Sequence, residues 1–143
     1  MYRIPFNRPH ITGRESAYFK EVLATGHVAG NGPFTQKCHD FFTEKYGFKK
    51  VLLTTSCTDA LEMSGLLLGL GPGDEVIVPS YTFVTTANAF VLRGASIKFA
   101  DSGAEDPNID TASIEELITP NTKAIVAAHY SGVACDMDPI MSI

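Results

Sequence analysis

Four consecutive side chains, Ser56, Cys57, Thr58 and Asp59, stand where a β-prone run gives way to an apolar helical one. Hydroxyl donors at a helix start suit an anion, because the first backbone N–H groups lack intrahelical acceptors and the helix dipole is positive there. The same residue types are ordinary helix N-caps, and Asp59 would repel a phosphate unless its carboxylate turns away and complements the dipole. The residues alone leave both readings open. Two further clusters invite chemistry. Tyr81 and Phe83 follow the strand-like run EVIVPS, where an aromatic ring can either stack on a flat ligand or pack in the core. His129 follows KAIVAAH, where it could move a proton or serve the fold. No Walker-type glycine-lysine loop, G-x-G-x-x-G, G-x-S-x-G or H-E-x-x-H run is present, so no complete catalytic constellation is readable.

The elements that must position these groups follow from periodicity. Thr12 and Glu15 form a T-x-x-E start for a first helix that Gly26 ends. The loop HVAGNGP follows, and Asn31 within it tolerates positive φ. A second helix runs from Pro33 to Gly47, with an apolar stripe of Phe34, Cys38, Phe41, Phe42 and Tyr46. Strands are expected over 50–54, 75–80, 96–101 and 123–129, and helices over 58–70, 84–94 and 110–118, with Asp110 as a cap. Strand and helix in alternation predict a doubly wound α/β sheet with helices on both faces. Ligands in such folds gather beyond the carboxyl ends of the strands, where all three clusters fall. Residues 1–49 read as a helical N-terminal segment packed on an α/β domain of residues 50–143.

At 143 residues, 45% hydrophobic and 19% charged, the chain can bury a core. A net charge of −5 argues against nucleic acid or an acidic membrane surface as partner. No apolar run reaches the roughly 18–20 residues that cross a bilayer. MYRIPFNRPH lacks a secretory apolar region. Cys38, Cys57 and Cys135 are odd in number without metal-like spacing. Together these suggest reduced thiols, no metal and a cytoplasmic protein. CDMDPI opens a helix barely begun at Ile143, which suggests a truncated domain, the N-terminal part of a longer protein.

In order and spacing the motifs resemble the sugar aminotransferases of the DegT/DnrJ/EryC1/StrS family. The pieces are IPFNRP (4–9), GNGPFTQKCHDFFTEKYG (30–47), the long run from Thr55 to Ala95, NIDTASIEELITPNTKAIVAAHYSG (108–132) and CDMDPI (135–140). The resemblance implies the large domain of a fold-type I enzyme, with a mostly parallel sheet flanked by helices, here incomplete. It implies pyridoxal 5′-phosphate (PLP) as cofactor, a dTDP-4-oxo-6-deoxyhexose as amino acceptor, glutamate as donor and a homodimer. The implied product is dTDP-4-amino-4,6-dideoxygalactose, an enterobacterial surface-polysaccharide sugar.

By position the resemblance gives Cys57, Thr58 and Asp59 the cofactor phosphate and Phe83 the face of the pyridine ring. It gives His129, Tyr81 and Asn31 the substrate side. The family usually has Gly at the position of Cys57 and a small residue at that of Asp59, and ADSGAEDP (100–107) replaces its usual acidic run. The lysine that forms the Schiff base lies outside this chain by this reading, since none of its seven lysines falls in the matching motif. The chain alone is then expected to be inactive. Two alternatives remain: a non-catalytic truncated α/β module, or a sugar dehydratase of the same family, in which histidine replaces that lysine.

Overall fold

The computed structural model describes Arg3 and residues 8–143, so the 4–7 part of the IPFNRP piece lies outside the described residues. The chain divides into two compact units, 1–53 and 54–143.

In the first unit, α1 (Glu15–Thr25) and α2 (Pro33–Tyr46) end on Gly26 and Gly47, both in the left-handed region. The expected start of α1 is half realised. The Glu15 carboxylate accepts the Thr12 N–H at 2.7 Å and the Gly13 N–H at 2.9 Å, whereas the Thr12 hydroxyl donates to Glu15 instead of capping a helical N–H. These donors hold the Glu15 carboxyl down at about 2. Tyr18 meets Phe34 edge-on at 5.3 Å, and Glu21 pairs with Lys37 at 3.3 Å. Neither helix has a buried residue; Phe41, half-buried Phe42 and Tyr46 of the α2 stripe gather instead with Phe48 into an aromatic cluster.

The second unit alternates: α3 (Cys57–Leu67), β1 (Glu75–Pro79), α4 (Thr85–Val91), β2 (Ser96–Ala100), α5 (Thr111–Leu117), β3 (Thr122–Ile125), a 3-10 turn (Tyr130–Gly132) and α6 (Met137–Ser142). The three strands are parallel in the order β2-β1-β3. Val76 lies opposite Ile97 and Ala124, and Ile77 opposite Lys98 and Ile125. β1 is central and covered on both faces, which explains its unbroken apolar run. Val76 and Val78 pack with Leu70, Ala87 and Phe90 on one face, with Leu61 of α3 against them. Ile77 points to the other face, among Ile109, Ile114 of α5 and Ile140 of α6. Helices thus lie on both sides of the sheet, as the alternation predicted.

Two expectations fail locally. Residues 50–54 form no strand, since propensity becomes a strand only where a neighbour completes the ladder, and no partner is present among the described residues. β3 ends at Ile125 and not at His129. The Glu75 N–H donates to Asn121 and the Ile77 carbonyl accepts the Val126 N–H, so the odd residues of β1 face β3. The next donor on that side would be residue 79, which is Pro79 and has no N–H. The ladder stops there, and Ala127–His129 leave the sheet as a loop.

At the amino end of the sheet, Glu75 accepts the Thr119 hydroxyl at 2.6 Å and pairs with Lys98 at 3.4 Å. The Thr119 bond, more than Lys98, lowers the Glu75 carboxyl below the usual range. Asp110 caps α5 by accepting the Ala112 N–H at 3.2 Å, as expected from its type. Asp101–Asp110 folds back on itself through a Ser102–Ile109 bridge. No helix of the described residues is long and apolar enough to cross a membrane.

Candidate functional site

α3 runs back along the parallel sheet, so its first turn lies at the carboxyl ends of the strands. Ser56 caps it, its hydroxyl accepting the Asp59 N–H at 3.0 Å, while the Ser56 carbonyl takes the Ala60 N–H. The Thr54 hydroxyl fixes the approach by donating to the Ser56 carbonyl at 2.7 Å. Among the described residues, the N–H groups of Cys57 and Thr58 have no acceptor. These are two of the orphan donors that every helix start presents.

Asp59 does not point over them. Its carboxylate turns back to accept the Thr55 hydroxyl, and that bond, with further ones from Ser56, holds its carboxyl below the usual range. The acid therefore stays charged on the cap side of the turn and complements the helix dipole there. Cys57 is exposed and carries a free thiol.

The second helix start converges on the first. The Thr58 hydroxyl donates to Thr85 Oγ1 at 3.2 Å, tying α3 to the first residue of α4. Thr82 and Thr86 pair in the same way at 2.9 Å. The helices approach closely because Gly65 stands between them. A Cβ there would lie 3.2 Å from Arg93 Cγ and 3.4 Å from Phe90 Cδ1. Two residues before Thr85 sits Phe83, 69% exposed. A ring left open to water at a strand end is not a packing residue of this unit.

Tyr81, also exposed, leaves β1 and meets Tyr130 beyond β3, their ring centroids 4.7 Å apart at 51°. The neighbouring Tyr81 phenol raises the Tyr130 hydroxyl above its ordinary range. His129 is exposed beside Tyr130, and its Nδ1 accepts the Cys135 N–H at 3.0 Å. An accepting Nδ1 places the proton of the neutral ring on Nε2. The Cys135 thiol donates to the Ala128 carbonyl at 3.3 Å and is buried, so this cysteine serves the fold.

Thr58, Phe83, Tyr81 and His129 therefore all lie at the carboxyl ends of β1 and β3. Asn31 belongs to the first unit, where it holds a φ of +61° and accepts Gln36 Nε2 at 2.6 Å. Three participants escaped the sequence reading. Thr85 is the partner of Thr58, Tyr130 is the partner of Tyr81, and Asn108 is buried against the Tyr130 turn. For Tyr130 the signal was an aromatic directly after His129. For Thr85 it was the hydroxyl pair opening α4. Asn108 offered none beyond its place in a loop.

Comparison with known proteins bears on the fold that carries these residues. Spr1654 of Streptococcus pneumoniae, assigned as a sugar aminotransferase and solved in its PMP form, superposes with a TM-score of 0.90 at 32% identity. The match covers 99% of this chain and 36% of that one, and the PLP form of the same protein gives 0.86. An aminotransferase from Psychrobacter cryohalolentis gives 0.87 at 34% identity over 96% of this chain and 35% of its own. The aminotransferase TlmJ from Streptoalloteichus hindustanus gives 0.80 at 39%, over 89% of this chain and 35% of its own. The chain thus spans about a third of the length of these structures. The DegT/DnrJ/EryC1/StrS aminotransferase family matches residues 9–143, and on that match the chain belongs to it.

Proposed function

We propose that this chain forms the phosphate-binding side of a PLP-dependent sugar aminotransferase. The whole enzyme would move an amino group from glutamate onto the C4 ketone of a dTDP-4-oxo-6-deoxyhexose, giving dTDP-4-amino-4,6-dideoxygalactose. The observation that carries the reading is the first turn of α3. Two N–H donors without acceptors and the Thr58 hydroxyl stand there together, with an exposed ring two residues before Thr85. Solved relatives in PLP and PMP forms support the cofactor class.

The residues present fit such a group. Cys57 and Thr58 would give backbone N–H donors to the phosphate, and the Thr58 hydroxyl would donate to it on turning from Thr85. Phe83 would cover one face of the ring. Asp59 fits only because its carboxylate is engaged by Thr55 on the cap side; this charge weakens the cup without closing it. When bound, the cofactor supplies the electron sink for moving the amino group. His129 would donate from Nε2 to a substrate oxygen, with Tyr81 beside it. Asn31 would contact the sugar nucleotide. We also propose a cytoplasmic homodimer.

Neither lysine of the second unit stands at this end of the sheet. Lys98 reaches back to Glu75 at the amino end of β1, and Lys123 is the second residue of β3. This favours a chain that holds the phosphate and does not itself complete the reaction. The test is a titration with PLP followed by borohydride reduction and mass mapping. The expected outcome is saturable binding, competed by inorganic phosphate, with no adduct on one preferred lysine and no turnover. Absence of saturable binding would refute the cup, and a single-lysine adduct with turnover would refute the inactivity.

A further inference from the structure

Asn108 is 5% exposed, lies outside every helix and strand, and uses both ends of its side chain. Its Oδ1 accepts the Tyr130 N–H at 3.1 Å, and its Nδ2 donates to the Val133 carbonyl at 3.2 Å. The two bonds span the 3-10 turn from opposite ends. That turn contains Ser131 at φ +54°, a left-handed conformation that costs a non-glycine residue about 1 kcal/mol or more. Beside the turn's own backbone bonds, Gly132 N–H to the His129 carbonyl and Val133 N–H to the Tyr130 carbonyl, Asn108 is the buried side chain bonded to both of its ends. The asparagine is itself fixed. Its N–H donates to Asp106 Oδ1 at 2.8 Å, and its carbonyl accepts the Gly103 N–H at 3.0 Å.

On the far side of the turn the Cys135 N–H reaches His129 Nδ1. The ring of His129 and the phenol of Tyr130 are thus aimed by a turn that carries no regular ladder of its own, since β3 has already ended. We infer that Asn108 is a positioning residue, holding the His129–Tyr130 turn so that the His129 Nε2–H and the Tyr81–Tyr130 pair stand at the carboxyl ends of β1 and β3. The functional meaning of this clamp rests on the reading given under Proposed function, but its geometry does not.

A buried amide that loses both bonds leaves the Tyr130 N–H and the Val133 carbonyl without their partner, and the strained turn is free to relax. Histidine-ring 15N spectra of the 143-residue chain read the tautomer of His129. Inter-ring NOEs read the Tyr81–Tyr130 contact. Asn108→Ala should shift the His129 signals from a single Nε2–H form toward a mixture of tautomers and abolish the inter-ring NOEs. A single Nε2–H form with the NOEs kept in a folded Asn108→Ala chain would overturn the inference.

Should that variant fail to fold, Asn108→Asp keeps an acceptor for Tyr130 and lacks the donor to Val133. It should retain the inter-ring NOEs and lose hydrogen-exchange protection in the segment 131–134. Unchanged protection there would overturn the inference. A merely structural asparagine would lower the thermal midpoint without moving either ring signature in the folded fraction. Failure of the unmodified chain to bind PLP would count against the functional reading alone, while unmoved ring signatures would count against the clamp alone.

Discussion

Ile77 is the most direct probe of how the sheet is built. It has no solvent exposure, sits mid-way along the central strand, and packs against Ile109, Ile114 and Ile140 on the face opposite Val76 and Val78. Ile77→Ala removes three carbons from that face. At about 0.8 kcal/mol for each buried methylene, the transfer part is about 2.4 kcal/mol. The cavity left behind raises the cost to about 3–4 kcal/mol, within the roughly 2–5 kcal/mol range of such deletions. A unit of about 90 residues has on the order of 5–13 kcal/mol to lose, so the variant should still fold.

The same kind of truncation at Leu67, exposed at the end of α3, should cost no more than about 0.5 kcal/mol. Urea unfolding followed by far-UV circular dichroism suits a chain with no tryptophan. With a slope near 1.5 kcal/mol/M, Ile77→Ala should lower the midpoint by about 2 M and Leu67→Ala by less than about 0.4 M. Equal shifts for the two variants would refute a sheet covered on both faces. So would a shift below about 0.5 M for Ile77→Ala.

Ser56→Ala deletes the acceptor of the Asp59 N–H at the cap of α3 and should cost about 1 kcal/mol, read as a lower urea midpoint with an unchanged slope; no change would mean that the cap bond is not formed in solution. The Glu15 carboxyl is lowered from 4.5 to about 2 by its bonds to Thr12 and Gly13. A depressed acid contributes fully above its unfolded value and loses that contribution as pH falls through the folded one. α1 should therefore keep its start above about pH 4.5 and lose it between about 4.5 and 2. Amide exchange at Thr12 and Gly13 follows this, and flat protection down to pH 2 would contradict it.

Most of the architecture was legible because each element carries its own signal. The alternation of strand and helix reports helices on both faces of the sheet, and Asp110 announces α5 by type and place. Residues 50–54 misled because strand propensity says nothing about whether a partner exists. The early end of β3 was written in Pro79, but only the register shows that residue 79 faces β3. At the site, Thr58 was legible as a helix start, and Asp59 posed a question that only its turn toward Thr55 answers. Phe83 could not be sorted from its type, since a core ring and an open ring share one letter. Asn108 stayed silent, and Tyr130 gave only its place after His129, because their roles come from contacts 22 and more residues apart in the chain.

The central claim is that the first turn of α3 holds a cofactor phosphate. The measurement that tests it most directly is amide mapping by 1H–15N spectra of the chain as PLP is added, with inorganic phosphate as competitor. The account predicts that the Cys57 and Thr58 amide signals move first and furthest, that phosphate returns them, and that Thr58→Val weakens the effect. Shifts centred elsewhere, or none at these two amides at saturating PLP, would contradict it.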